Sequence, residues 1–236
     1  MIKTVYDIVL AGDPHAPAIG APGRPWLTYA GLKRLVDATI GSLNGVGVGR
    51  EERIVLAVPN GPEMAAAFVA VASGFTAVPL DPAGTADQFE HCLADFKATV
   101  VIVQQGLDSP VRQVARKSGV PIVGLVPGVD RPAGAFTLDI SALKPAEVEY
   151  ASISDRTETA LLRPGGISQS SGDLAQAARS IGATLRLAPA DRCLNVLPLF
   201  DTDGLIGTLL PSLGAGASVC CSPGFDASSF FAWLAE

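Results

Sequence analysis

The sequence predicts an α/β fold, with parallel-rich sheets and flanking helices, and three observations carry that prediction. First, residues 53–58, RIVLAV, are apolar throughout and of strand length, the composition of a strand covered on both faces. Second, a Pro-Asn-Gly-Pro turn, an Ala- and Val-rich helix over 63–73 and a further apolar run at 75–80 follow directly. Strand, turn, helix, strand is a βαβ unit, which means a right-handed crossover between parallel strands. Third, strand-length apolar runs keep alternating with segments of helical period up to residue 125, and again after residue 159.

Taken in order, residues 13–24 are rich in Pro and Gly and read as a loop or turn segment. Thr28 can cap a helix whose Leu32, Leu35, Val36, Ile40 and Leu43 fall on one face, and the glycine-rich turn at 45–49 stops it. Pro62 suits the first turn of the next helix, which has almost no polar face and belongs in the core until Gly74 ends it. Residues 86–96 read as a helix with Phe89, Leu93 and Phe96 on one side. A strand at 99–104, a short polar-faced helix at 110–118 and a strand at 120–125 complete this half. From 126 to 158 Pro and Gly recur without sustained period, a surface connection that holds one edge strand at 135–140. Beyond it come a strand at 159–162, a Pro/Gly/Ser loop at 163–171 and a helix over 173–187 begun by Asp173. A strand at 193–199, an apolar helix at 204–213, a strand at 217–221 and a helix at 226–234 capped by Asp226 close the pattern. The expected organisation is two sub-structures, 1–125 and 159–236, joined by the connection 126–158.

Composition narrows the partners. The 236 residues are 48% hydrophobic and 17% charged, apolar enough to expect a face buried against a second copy or a protein partner. A net charge of −6 with no Lys/Arg run argues against a nucleic-acid surface. No apolar run reaches the length of a membrane span, and the first residues are too short and broken for a secretory signal. Cys92, Cys193, Cys220 and Cys221 lack metal spacing and read as free thiols, which places the chain in the reducing cytoplasm. With only His15 and His91, neither a histidine metal site nor a triad has material, so no metal is expected.

The stretch 158–178, ETALLRPGGISQSSGDLAQAA, bears most on function. A Gly/Ser loop between a strand and a helix is a common phosphate cradle, because free N–H groups and the helix N-terminus favour an anion. This one has no lysine and no G-x-x-x-x-G-K-[ST] spacing, and it sets Asp173 at the helix start, where a carboxylate repels phosphate. On these residues alone a structural loop is the better reading.

The run from Thr28 to Asp81 resembles the N-terminal part of the adenylate-forming enzymes, the acyl-CoA synthetase and AMP-dependent ligase superfamily. LTYAGL, GVGREERIVLAVPN and FTAVPLDP stand where that superfamily has L-T-Y-x-x-L, G-V-x-x-G-D-R-V-A-I-x-x-P-N and G-A-V-A-V-P-L-D-P. The later run 189–236 resembles the segment that carries P-L-F-H and ends in P-x-F-x-x-x-x-F, here Pro223, Phe225 and Phe230. The resemblance spans the whole chain and is nearest in flavour to oxalate and medium-chain acid–CoA ligases. It implies the N-terminal subdomains of the adenylate-forming large domain, acyl-adenylate chemistry, and ATP/AMP and CoA as cofactors.

The departures from the pattern matter as much. The phosphate loop [ST]-S-G-[ST]-[ST]-G-x-P-K-G aligns as Arg163 followed by Pro164, Gly165, Gly166 and Ile167, so its Ser/Thr/Gly half is missing and Gly165 stands where the lysine belongs. A glycine cannot supply that point charge. Ser170, Ser171, Gly172, Asp173 and Leu174 take the place of T-H-x-N-L, and Asp201 replaces the histidine of P-L-F-H, setting a carboxylate beside any acid substrate. Motifs implied further along, with the adenylation lysine of the small C-terminal domain, have no counterpart in these residues. The expected remnants are a vestigial phosphate loop of Arg163, Gly165, Gly166, Ser168, Ser170 and Ser171, and a vestigial pocket at Phe200, Asp201 and Gly204, with no catalytic residue.

Other candidates have plain readings. Asp201 and Asp203 could pair at a sheet end, but Asp203 reads as a helix N-cap and Asp201 as a solvated loop acid. Asp81 reads as a turn or cap, and His91 alone supports no catalysis. Two functions stay open. The first is a non-catalytic binding or assembly homologue of an acid–CoA ligase N-terminal domain, with no cofactor. The second is one portion of such a ligase, its other half absent or supplied in trans, using ATP and CoA. Small-acid or nucleotide binding near residues 199–204 is a lesser third.

Overall fold

The computed structural model describes residues 2–128, 130–146, 148 and 158–235. The chain begins with helix α1 (Val5–Val9), strand β1 (Pro17–Gly20), strand β2 (Leu27–Thr28) and helix α2 (Tyr29–Asn44). Then come β3 (Arg53–Ala57), α3 (Pro62–Ala72), β4 (Thr76–Pro79), α4 (Ala86–Asp95), β5 (Val100–Gln104), α5 (Val111–Lys117), β6 (Ile122–Pro127) and β7 (Phe136–Asp139). After the connection follow β8 (Thr159–Arg163), β9 (Ile167–Ser170), α6 (Ser171–Leu185) and β10 (Arg192–Asn195). A π-helical turn (Asp203–Leu209), α7 (Leu210–Gly214), β11 (Ser218–Cys221) and α8 (Phe230–Ala235) finish it.

These strands form a mixed but parallel-rich pair of sheets. The larger has the order β7-β6-β5-β3-β4-β8-β9, with β6, β5, β3, β4 and β8 parallel and antiparallel strands at both edges. The smaller has the order β10-β11-β1-β2. Residues 159–235 therefore feed both sheets. Helix α3 lies between the sheets, meeting β3, β4 and β8 on one side and β1 and β11 on the other. That position explains its sequence: all eleven residues are buried, so no polar face is needed. Pro62 occupies its first turn, as expected.

The α2 helix starts where the sequence predicts, with the Thr28 hydroxyl accepting from the Gly31 N–H at 3.1 Å. On the outer face of the large sheet, α4 and α5 close a second core in which Phe89, Leu93 and Phe96 meet Val55, Val78 and Val101. The edge strand expected at 135–140 is β7, antiparallel to β6.

Several expectations need correction. Residues 13–24 are not all loop, since β1 runs through them, parallel to β11. The loop expected at 163–171 is mostly a hairpin, because β9 folds back on β8 with Arg163 opposite Ile167. Helix α6 is capped by Ser170, and Asp173 sits three residues on as its reciprocal partner. Asp203 is not an N-cap: it lies inside the first turn of the π-helix, after Thr202, and no side chain caps that end. The final helix begins at Phe230, later than Asp226, whose carboxylate instead accepts from the Ser228 N–H and the Ser229 hydroxyl. Within the connection, residues 129, 147 and 149–157 lie outside the described residues.

Candidate functional site

A cleft of about 920 Å³ lies beside α4 on the outer face of the large sheet. Its walls come from four places: Leu80 and Asp81 past the end of β4, one flank of α4, the β8–β9 turn, and Phe200–Asp201. Ligands of open α/β sheets sit off strand ends of this kind.

The β8–β9 turn is short. Pro164, Gly165 and Gly166 alone connect the paired residues Arg163 and Ile167. Gly165 and Gly166 have φ of +88° and +76°, a left-handed path that glycine takes without strain. The Gly166 N–H already donates to the Arg163 carbonyl at 3.1 Å, and proline has no N–H to offer. Only the Gly165 N–H remains for a ligand. The Arg163 guanidinium, half-buried, donates through Nη1 to the Thr202 hydroxyl and so ties the turn to the start of the π-helix. Its Nε is buried without a partner.

The cleft thus gathers Arg163, Gly165, Gly166, Phe200 and Asp201, five of the residues singled out from sequence. The other four lie elsewhere. Ser170 is committed to α6: its hydroxyl accepts from the Asp173 N–H at 3.1 Å, and its own N–H donates to Asp173 Oδ2 at 3.0 Å. Ser171 is buried and its hydroxyl accepts from the Val5 N–H at 2.9 Å, tying α6 to α1. Ser168 stands exposed on β9, 3.3 Å from the Thr159 hydroxyl. Gly204 is a packing glycine, since a Cβ there would meet the Pro198 carbonyl oxygen at 2.1 Å.

The α4 wall was not foreseen. Gln88, His91, Cys92 and Asp95 form a stripe at spacings of three and four along the helix, beside the buried stripe of Phe89, Leu93 and Phe96. That second stripe, semi-polar and of helical period, was the available signal. Arg53 and Lys97 join Arg163 as cations on the cleft, against the carboxylates of Asp81, Asp95 and Asp201. Burial, then the neighbouring Asp95, pushes the Cys92 thiol above its ordinary range, so it stays protonated at neutral pH. Asp81 makes a turn, accepting from the Ala83 N–H at 2.9 Å. Among the described residues no three His, Cys, Asp or Glu side chains converge as a metal site, and no helix is long and apolar enough to cross a membrane.

The rim is held by amides. Asn60 donates to the carbonyls of Leu197 and Ser222 and accepts from the Leu199 N–H at 2.9 Å, while Asn195 accepts from the Thr208 hydroxyl at 3.0 Å. These bonds fix the 195–200 segment and with it Phe200.

Two layered sheets with a helix between them, and a cleft at the end of the parallel strands, are the architecture of the N-terminal domain of adenylate-forming enzymes. ATP-bound MatB from Rhodopseudomonas palustris superposes with a TM-score of 0.82 over 100% of this chain and 48% of its own, at 20% identity, a likeness of fold alone. The chain belongs to the AMP-binding enzyme family, whose model matches residues 7–236. It is 30% identical over 225 residues to the probable CoA ligase CCL9 of Humulus lupulus, covering 91% of this chain and 43% of that protein. Against the oxalate–CoA ligase of Arabidopsis thaliana it is 29% identical over 229 residues, covering 92% and 45%. It matches the N-terminal portion of these ligases and spans less than half their length.

Proposed function

We propose that this chain is a non-catalytic relative of the N-terminal portion of acid–CoA ligases, kept as a binding or assembly module and without a working grip on ATP. The observation that carries this reading is the three-residue turn after β8, with one free N–H and no lysine. A triphosphate needs several pre-organised donors and positive charge in one place. Ser170 and Ser171 cannot return to that task, since each already holds a helix end. On this reading Arg163, Gly165 and Gly166 are a remnant of the phosphate loop, Phe200 and Asp201 of the acid pocket, and no cofactor is bound.

A second reading is favoured by the length relation. The chain covers 45% of the Arabidopsis oxalate–CoA ligase, so it fits one portion of an acyl-adenylate-forming ligase whose remaining half is absent from these residues or supplied in trans. ATP and CoA would then be its cofactors. A pyrophosphate-exchange assay separates the two readings, run with the chain alone and with a candidate complementing polypeptide. The first reading expects exchange at background in both mixtures. Exchange that appears on adding the second polypeptide, and is lost when Arg163 is replaced, supports the second reading.

A further inference from the structure

The charges of the cleft balance in number but not in place. Side chains of β3 alternate, with Val55 and Ala57 in the outer core, so Arg53 at the head of the strand faces the same way. The Thr99 N–H donates to the Arg53 carbonyl at 2.9 Å, which brings Asp95 and Lys97, at the end of α4, to that same head. The other three charges lie at the strand tails: Asp81 after β4, Arg163 at the end of β8, and Asp201 beside the Thr202 that Arg163 holds. One end of the cleft thus carries two cations and one carboxylate, and the other carries one cation and two carboxylates. Thr76 pairs with Arg53 and Asp81 comes five residues later, a rise of about 16 Å from end to end. Half-buried Cys92 and Leu162 line the stretch between.

Two features set the cationic end apart from a solvated rim. Among the described residues neither Arg53 nor Lys97 forms an ion pair or a side-chain hydrogen bond, although Asp95 lies two positions from Lys97. Lys97 also holds φ at +49°, with its N–H on the Ala94 carbonyl and the Ala98 N–H on the Leu93 carbonyl, a helix end that glycine closes without strain. A lysine there is strained, and what it adds is a second cation on the cleft beside Arg53.

We propose that the cleft binds an elongated zwitterion with an apolar body, its anionic group on Arg53 and Lys97 and its ammonium group between Asp81 and Asp201. A linear peptide of four residues has that form, since its extended chain spans ~13–14 Å and its termini carry one charge of each sign. The volume of about 920 Å³ suits a ligand of that size. Opposite net charge at the two ends fixes one direction of binding and disfavours a compound with like charges at both ends. The proposal rests on the reading of the chain as a binding module and gives that module a ligand class. It is measured without nucleotide, so peptide binding and the absence of ATP binding can fail separately.

Calorimetric titration of the chain with tetra-alanine is expected to show saturable one-to-one binding. N-acetyl-tetra-alanine, which lacks the ammonium, and tetra-alanine amide, which lacks the carboxylate, are each expected to bind at least ~10-fold more weakly. Lys97→Gly places glycine where the backbone favours it, so the variant is expected to keep the parent's melting temperature. It is expected to weaken tetra-alanine at least ~5-fold and to leave the affinity for the amide unchanged, because cation and carboxylate act as a pair. Asp201→Asn changes an exposed side chain and is expected to weaken tetra-alanine while leaving the acetylated peptide unchanged. No saturable binding up to millimolar peptide, equal affinity for the three peptides, or variants that bind tetra-alanine as the parent does would each overturn the proposal.

Discussion

Tyr29 shows at the scale of one residue how the small sheet is locked to the helices. Its buried hydroxyl donates to the Ala217 carbonyl at 2.6 Å, with the Leu213 carbonyl at 3.0 Å. Burial pushes its pKa well above the ordinary 10.0. In the unfolded chain Tyr29 loses its proton near pH 10 while the folded chain keeps it, so the unfolded state binds fewer protons and stability falls as pH rises above 10. Tyr29→Phe is expected to cost about 1–3 kcal/mol at pH 7 in urea unfolding, and to flatten the decline above pH 10. At the same scale, the tie from Arg163 to Thr202 was not legible from sequence, because it joins positions in different elements. The sequence marked Arg163 for its neighbours in the phosphate-loop alignment. Folding gave it another partner.

Among the elements, legibility followed how much of the information was local. Helix α3 could be read because its composition, Pro62 at the start and Gly74 at the end all agree. Phe68 at its centre is fully buried, and Phe68→Ala is expected to lose about 3–5 kcal/mol, measured as a lowered urea midpoint at constant slope. The strand β1 escaped notice since its four residues begin with a proline and are held by a partner some two hundred positions later. Strand β9 escaped for another reason: it is an edge strand, so Ile167, Ser168 and Gln169 carry the polar, mixed character of a loop. The cap of α6 was misplaced by three residues because Ser170 and Asp173 both suit an N-terminus, and only the reciprocal bonds decide. Ser170→Ala is expected to cost ~1 kcal/mol, read in the same unfolding assay, with the hairpin left intact.

For the whole molecule, the α/β class and the family were legible together, since runs such as RIVLAVPN and FTAVPLDP fix strand, turn and strand in one pass. The cleft was legible on its turn and rim and missed on its α4 wall. Of the nine residues marked from sequence, Ser170 and Ser171 bond to backbone at helix starts, Ser168 stands exposed, and Gly204 is packed against the Pro198 carbonyl. The cleft presents a tight turn and mixed charge, and the proposed function holds that these do not grip ATP. Calorimetric titration of the purified chain with ATP and Mg²⁺ tests this most directly. The account predicts no saturable heat up to millimolar ATP, and stoichiometric binding with a sub-millimolar Kd would contradict it.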